Sequence, residues 1–344
     1  MNAMYSLVMV FSLVVVALLG AGVLGMKTFF ALCLPATAMV VFVLGFAWRM
    51  IDWAKRPVPF SIPTTGGQMH SVLPWVKQAK FDNPSTKFQT VIRMILEVFT
   101  FRSLFRNTKV ALFDGPKVAY PSNKYLWLAA ILFHYSFLVI VLRHMRLFFE
   151  PVPMIVNALE FGDGLFQIGA PVLYLTDVFI MAGLLFLLMR RLVDSRLRYI
   201  SLPADFFPLF LIISIILSGV YMRYIGKVDV VAIKDVAMSI IMFKSVAADV
   251  WDKVDNVFFV HVMLVSSLLI YFPFSKLMHM GGIFLSPTRN LPNDSRMKRY
   301  VNPWNEPGFT CHTYEAYEDE FREPMHEAGL PLDKPFVPTE GKED

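Results

Sequence analysis

Cysteine is nearly absent: Cys33 and Cys311 stand far apart in a chain of 344 residues. That scarcity excludes a disulfide framework and an iron–sulfur cluster held by this chain's thiolates alone. No Cys-x-x-Cys-His occurs, so no haem is attached through that motif; Cys311-His312 has Gly308 where the first cysteine would stand. Charge is scarce as well, at 17% of residues. Against it stand 56% hydrophobic residues and a mean hydropathy of +0.53. A soluble domain of this size does not hide that much apolar surface, so the fold class is an all-α polytopic membrane protein. Met1 to Ser6 carry no Lys or Arg, so the apolar run that follows lacks the basic region of a signal peptide.

What is present is a series of about six apolar runs, each near the roughly 20 residues that cross a bilayer as a helix. They are Leu7 to Met26, Phe29 to Trp48, Tyr125 to Leu147, Ile168 to Met189, Phe206 to Met222 and Val257 to Met280. The first two read as a hairpin turning at Gly25-Met26-Lys27, with Pro35 placed to kink the second helix. The expected organisation is a transmembrane hairpin (1–48), a basic loop (49–123), a bundle of four to five helices (124–280) and a C-terminal arm (281–344).

The 49–123 loop holds eleven Lys/Arg against four acids. Within it, Phe88 to Arg106 spaces Thr90, Arg93, Glu97 and Thr100 as one helical face and puts Val91, Ile95, Val98 and Phe99 on others. That pattern predicts an amphipathic helix lying on the membrane surface or against a partner. Basic residues follow the second, fourth and sixth runs, so the Lys/Arg bias puts the 49–123 and 190–205 loops and both termini on the cytoplasmic side of the cytoplasmic membrane. The 148–167 and 223–255 loops then face outward. Residues 306–344 hold eleven acids and three Lys/Arg, a net of −8, which leaves +13 on the rest of the chain. This split concerns orientation and partners rather than nucleic acid. The tail is too short and polar to build its own core. Trp304, Phe309, Tyr314, Tyr317 and Phe321 suit an extended arm docked on something else, the alternative being a solvating tail.

Four histidines lie in or at the edge of two of the runs: His134 and His144 in the third, His261 and His279 in the sixth. Ionisable groups inside a bilayer are costly and by default functional. Eighteen residues return to the same face of a helix, and ten leave a difference of about 80°. Each helix therefore turns two imidazoles inward. The two runs are antiparallel, which pairs His134 with His279 toward the cytoplasm and His144 with His261 toward the outside. Ten residues rise about 15 Å and eighteen about 27 Å, so the pairs level up only if the second helix breaks. Pro273 is placed to break it, near Tyr271 to Phe274. Imidazole pairs without thiolate or carboxylate do not suit a hard cation. They suit the two axial faces of haem b, twice over, with no open coordination position and hence electron transfer as the chemistry. Arg143, Arg146, Lys276 and Arg191 end apolar runs where they suit haem propionates, or simple snorkelling at the membrane edge. Asp177, inside the fourth run, suits a quinone proton relay or a packing hydrogen bond with Thr176. The other histidines, His70, His312 and His326, lie in polar segments and suit solvent or partner contacts.

Residues 123 to about 285 resemble the membrane γ subunit of respiratory nitrate reductase. The resemblance is carried by His134 and His144 at ten-residue spacing, Arg190-Arg191-Leu192, and His261 followed by Phe272-Pro273-Phe274-Ser275-Lys276-Leu277-Met278-His279. It implies that those four histidines are the axial ligands of two haems b, with a quinone site beside the outer one. The added hairpin, basic loop and acidic tail are similar to the DsrM-type (HmeC-like) subunit of the DsrMKJOP complex of sulfate reducers. That likeness implies menaquinone as substrate and a cytoplasmic iron–sulfur partner resembling a heterodisulfide reductase subunit. It also implies further membrane and periplasmic subunits and a role in sulfite reduction. The competing readings are a γ subunit of another quinol-oxidising reductase, a transporter whose histidines relay protons, and an anchor that docks soluble enzymes.

Overall fold

The computed structural model describes residues 1–57, 78–115, 117–164, 171–242, 244–293 and 313–337. The chain divides into two units, residues 1–294 and 295–344.

The first unit begins with α1 (Asn2–Val23) and α2 (Phe29–Ala54), joined through Gly25, whose φ of +67° only glycine adopts at no cost. Facing ends of the hairpin widen into π-helix at Leu18–Val23 and Phe29–Cys33. There Gly20 lies beneath Phe30, and a Cβ on it would stand 2.3 Å from that ring. The widening ends just before Pro35, so the proline starts a regular helix rather than kinking one. The basic loop contributes α3 (Lys87–Thr100), α4 (Arg102–Phe105) and a short antiparallel ribbon of β1 (Ala111–Phe113) and β2 (Lys117–Ala119).

Then come α5 (Lys124–Leu147), α6 (Met154–Asp163), α7 (Leu175–Val193), α8 (Ser195–Ile200), α9 (Pro203–Ile225), α10 (Val230–Met242) and α11 (Ala248–Trp251). The unit closes with α12 (Asn256–Tyr271), α13 (His279–Gly282) and α14 (Pro287–Asn290). Five of these, namely α1, α2, α5, α9 and α12 with its following turn, are long and apolar enough to cross a membrane. The fourth expected run is α7, which starts later than Ile168 and ends later than Met189. Asp163 fixes its start by accepting from the Thr176 amide at 2.9 Å, and the helix runs on through Arg190 and Arg191. With Asp177 these arginines put three charges within the nineteen residues of α7, which is not one of the five.

The bundle is a row: α5 packs on α7, α7 on α9 and α9 on α12, with α1 across α9 and α12 and α2 along α12. Its core joins Val10 and Ala17 of α1, Ile180 and Leu184 of α7, Leu211 of α9, and Phe259 and Leu264 of α12. The outer faces stay apolar; Leu128, Leu138 and Val141 of α5 are exposed, as befits a helix solvated by lipid.

Two elements flank the histidine-bearing helices and depart from a simple amphipathic or spanning pattern. First, α12 stops at Tyr271. A single 3₁₀ turn (Phe272–Phe274), an extended Ser275 and a second 3₁₀ turn (Lys276–Met278) lead into α13. This is the break expected at Pro273, which has no N–H to continue the ladder. The hairpin packs on it: a Cβ at Gly45 would lie 2.8 Å from Pro273, and one at Gly281 would lie 2.5 Å from Met50 Sδ. Second, α3 is amphipathic as expected but turned inside out. Thr90, Arg93 and Glu97 are buried, whereas Phe88 is 73% and Phe99 60% exposed.

In the second unit the expected extended arm is instead a helix with a return segment. Thr313 caps α15 (Tyr314–Glu327) by accepting from the Ala316 amide at 3.2 Å. Buried Glu318 then accepts the amides of Asp333 and Lys334 at 2.8 and 3.0 Å, and His326 stacks on Phe336 at 4.5 Å. A buried carboxylate and a ring pair thus close this segment without a large apolar core. His70, Trp304, Phe309, Cys311 and His312 lie outside the described residues.

Candidate functional site

His134 and His144 both project from the unbroken α-helical part of α5, which runs from Lys124 to His144. His261 sits in α12, and His279 opens α13 beyond the break. The rings meet in the expected pairs: His134 with His279 at 6.0 Å between centroids, His144 with His261 at 6.4 Å. α5 and α12 are not neighbours in the row, which runs through α7 and α9 between them. The imidazoles span the distance between them.

Each ring is fixed through Nδ1. The Nδ1 of His134 lies 2.7 Å from the Ala130 carbonyl, that of His144 2.7 Å from Ile140 and that of His279 2.9 Å from Lys276. Carbonyls only accept, so these Nδ1 atoms carry the proton and leave Nε2 with a free lone pair. For His261 the partner is Ser218 Oγ of α9 at 2.9 Å. Ser218 spends its own proton on the Ile215 carbonyl at 2.9 Å, so it accepts from His261. All four imidazoles therefore adopt the tautomer and anchoring typical of metal-ligating histidines. Two imidazoles on opposite sides of one iron, each nitrogen about 2 Å from it, hold ring centres about 6 Å apart. Both pairs meet that spacing, and Gly219 keeps the wall beside His261 thin. Among the described residues no group of three His, Cys, Asp or Glu gathers to hold an ion. The donor set is two imidazoles per site, which fits haem.

Next to the His144–His261 pair lies a dense charge cluster. Buried Arg143 pairs with Asp163 at 3.0 Å and Asp177 at 3.4 Å. Its guanidinium lies 3.6 Å from the centre of the Tyr174 ring, and Arg223 covers the same ring at 3.9 Å. The Tyr174 hydroxyl donates to Glu160, which also takes two hydrogen bonds from Arg146 at 2.6 and 2.7 Å. Tyr224 donates to Asp177 at 2.8 Å. Three arginines and three carboxylates thus balance. Burial works to raise the Glu160 carboxyl, but Tyr174 and Arg146 outweigh it and hold it below its usual range. Burial, then the bond to Glu160, pushes the Tyr174 phenol up to about 12.

The expected propionate partners are thus engaged within the chain: Arg143 and Arg146 as above, Lys276 with Asp205 at 2.7 Å, Arg191 with Ser201 at 3.1 Å. Arg143 keeps its buried Nε without a hydrogen-bond partner among the described residues. Asp177 is held by Arg143 and Tyr224, whereas Thr176 bonds Asp163 instead, through its hydroxyl at 2.6 Å. Sequence reading did not find Ser218, Tyr174, Arg223 or Tyr224. A serine-glycine step in the largely apolar middle of α9 was the available signal for Ser218.

Residues 118–293 match the family described as nitrate reductase gamma subunit. Two relatives carry the name "Hdr-like menaquinol oxidoreductase cytochrome b-like subunit". That of Archaeoglobus fulgidus is 44% identical over 280 residues, covering 80% of this chain and 83% of the relative. That of Archaeoglobus profundus is 43% identical over 277 residues, covering 79% and 81%.

Proposed function

The chain belongs to the nitrate reductase gamma subunit family, and from that premise we propose that it is the membrane cytochrome b subunit of a menaquinol-linked redox complex. His134 and His279 hold an inner haem b and His144 and His261 an outer one. The observation that carries this reading is the common state of the four imidazoles: Nδ1 anchored, Nε2 free, rings about 6 Å apart in two pairs. Each bound haem supplies a one-electron couple.

The chain's own residues do the rest. α5 fixes the level of both sites, and the break after Tyr271 brings His279 level with His134. Lipid-facing spans keep water away. Menaquinol gives up two electrons and two protons on becoming menaquinone, so the quinone end needs a proton acceptor. Asp177, hydrogen-bonded by Tyr224 beside the outer pair, is that acceptor in this reading. Asp177→Asn then slows quinol turnover with both haem signals kept; unchanged turnover removes the role.

The electrons pass to or from a cytoplasmic iron–sulfur partner of the heterodisulfide reductase type, met by the basic loop and the acidic tail. The names of the two relatives support the menaquinol and Hdr-like parts. Both termini are cytoplasmic in this reading. A larger DsrMKJOP-like assembly serving sulfite reduction rests on the resemblance of the added hairpin, loop and tail.

Reduced-minus-oxidised spectra of the purified full-length chain test the proposal. Two low-spin b-type signals are expected, with His134→Ala and His144→Ala each removing a different one. A chain without such signals, or a His144→Ala variant that keeps both, overturns it.

A further inference from the structure

Phe101 is a half-buried non-glycine residue in the left-handed region, at φ 50° and ψ 45°. An L side chain is strained there, and a strained backbone persists only where its surroundings over-determine it. The surroundings do so. Glu97 accepts from the Ser103 amide at 3.2 Å and from the Ser103 hydroxyl, closing the corner between α3 and α4. Asp82 pairs with both Arg102 and Arg106 of the same corner. Trp127 of α5 donates to the Thr100 carbonyl at 2.8 Å, and Tyr135 of α5 donates to the Phe99 carbonyl at 2.7 Å.

Glycine would make this turn without strain, yet the position holds a large ring. That ring meets His134 edge to face, with centroids 5.0 Å apart at 83°. Among the described residues the other rings on His134 are its neighbour Phe133 and its partner His279. The Ala130 carbonyl fixes the imidazole at Nδ1. Phe101 packs against the same ring from the α3–α4 corner and narrows the room it has to tilt. The corner is in turn joined to α3, whose apolar residues Phe88, Val91, Ile95 and Phe99 are exposed and suit a membrane surface.

We propose that Phe101 is a positioning residue for His134, and that the α3–α4 corner, outside the segment matched by the family, sets the axial geometry of the inner site alone. This rests on the proposed haem ligation.

Electron paramagnetic resonance and redox titration of the full-length chain test it, with the two signals assigned from the His134→Ala and His144→Ala variants. Phe101→Ala shifts the g-values and midpoint potential of the inner signal and leaves the outer signal unchanged. Phe101→Gly, which relieves the backbone and removes the ring, gives the same shift, and Phe101→Tyr restores the wild-type signal. An inner signal untouched by Phe101→Ala, a Phe101→Gly variant with wild-type spectra, or an equal shift of both signals overturns the inference alone. A wild-type chain without bis-imidazole signals overturns the haem reading and this inference together.

Discussion

Around His144 and His261 the chain has gathered three arginines, three carboxylates and two tyrosines. Around His134 and His279 it has gathered rings and glycine notches: Phe101 against one imidazole, Gly45 under Pro273, Gly281 under Met50. The outer pair is flanked by charge and the inner pair by fitted rings and backbone. The origins differ too. Every member of the outer cluster lies within residues 118–293, the segment matched by the family. The inner pair leans on the hairpin and the α3–α4 corner, both outside it. A charge cluster needs polar partners kept from water, and the loop helix α6 supplies two of them, Glu160 and Asp163. At the inner level the neighbours are a broken helix and the half-buried Phe101 ring, with one ion pair, Lys276–Asp205, beside them.

Four substitutions break or sharpen this contrast, in descending order of effect. Arg143→Ala leaves Asp163 and Asp177 buried without their cation, and removing one partner of a buried pair costs about 3–5 kcal/mol. Thermal unfolding of the full-length protein should show that loss, with the outer haem signal disturbed first; a variant of wild-type stability would end the case for charge. Gly45→Val pushes a side chain into Pro273, an overpacking that costs about 1–3 kcal/mol. Its spectral effect falls on the inner signal, and an outer shift of equal size would erase the distinction. Ser218→Ala removes the acceptor of the His261 Nδ1 proton, a loss of about 1–3 kcal/mol if nothing replaces it. The outer signal shifts and Ser218→Thr restores it. No side-chain change does the same at the inner pair, where both acceptors are backbone carbonyls. Last comes pH. Tyr174 is raised from 10.0 to about 12 in the folded protein, so its contribution is complete below about pH 10 and lost as pH climbs toward 12. Tyr174→Phe should flatten that alkaline loss of stability in pH-dependent unfolding.

Much of this was legible in the sequence. The hairpin, α5, α9 and α12 follow from apolar length alone. The pairing of His134 with His279 and of His144 with His261 follows from helical spacing, antiparallel direction and one proline. The start of α7 was not legible, because Asp163 sets it from thirteen residues away by capping Thr176. Nor was the outer cluster, whose carboxylates and arginines come from α5, α6, α7 and α9 and are neighbours only once those helices pack. The phase of α3 was readable but its direction was not. Periodicity says that Arg93 and Glu97 share a face; it does not say that this face turns inward when the outside is lipid rather than water.

The interruption after Tyr271 has one further effect. Of the two histidine-bearing segments, only α5 is continuous, so it alone is the ruler between the two histidine pairs. Ten residues of helix make that interval about 15 Å along its axis. A residue inserted between Tyr135 and Arg143 would lengthen the interval by about 1.5 Å and turn His144 through about 100°, off its partner. A residue inserted near Ser275 falls where the backbone already departs from helix, so it would be absorbed there. The spacing of the pairs and the alignment of their rings are therefore written on one strip of helix, and the opposite strip has slack to follow it.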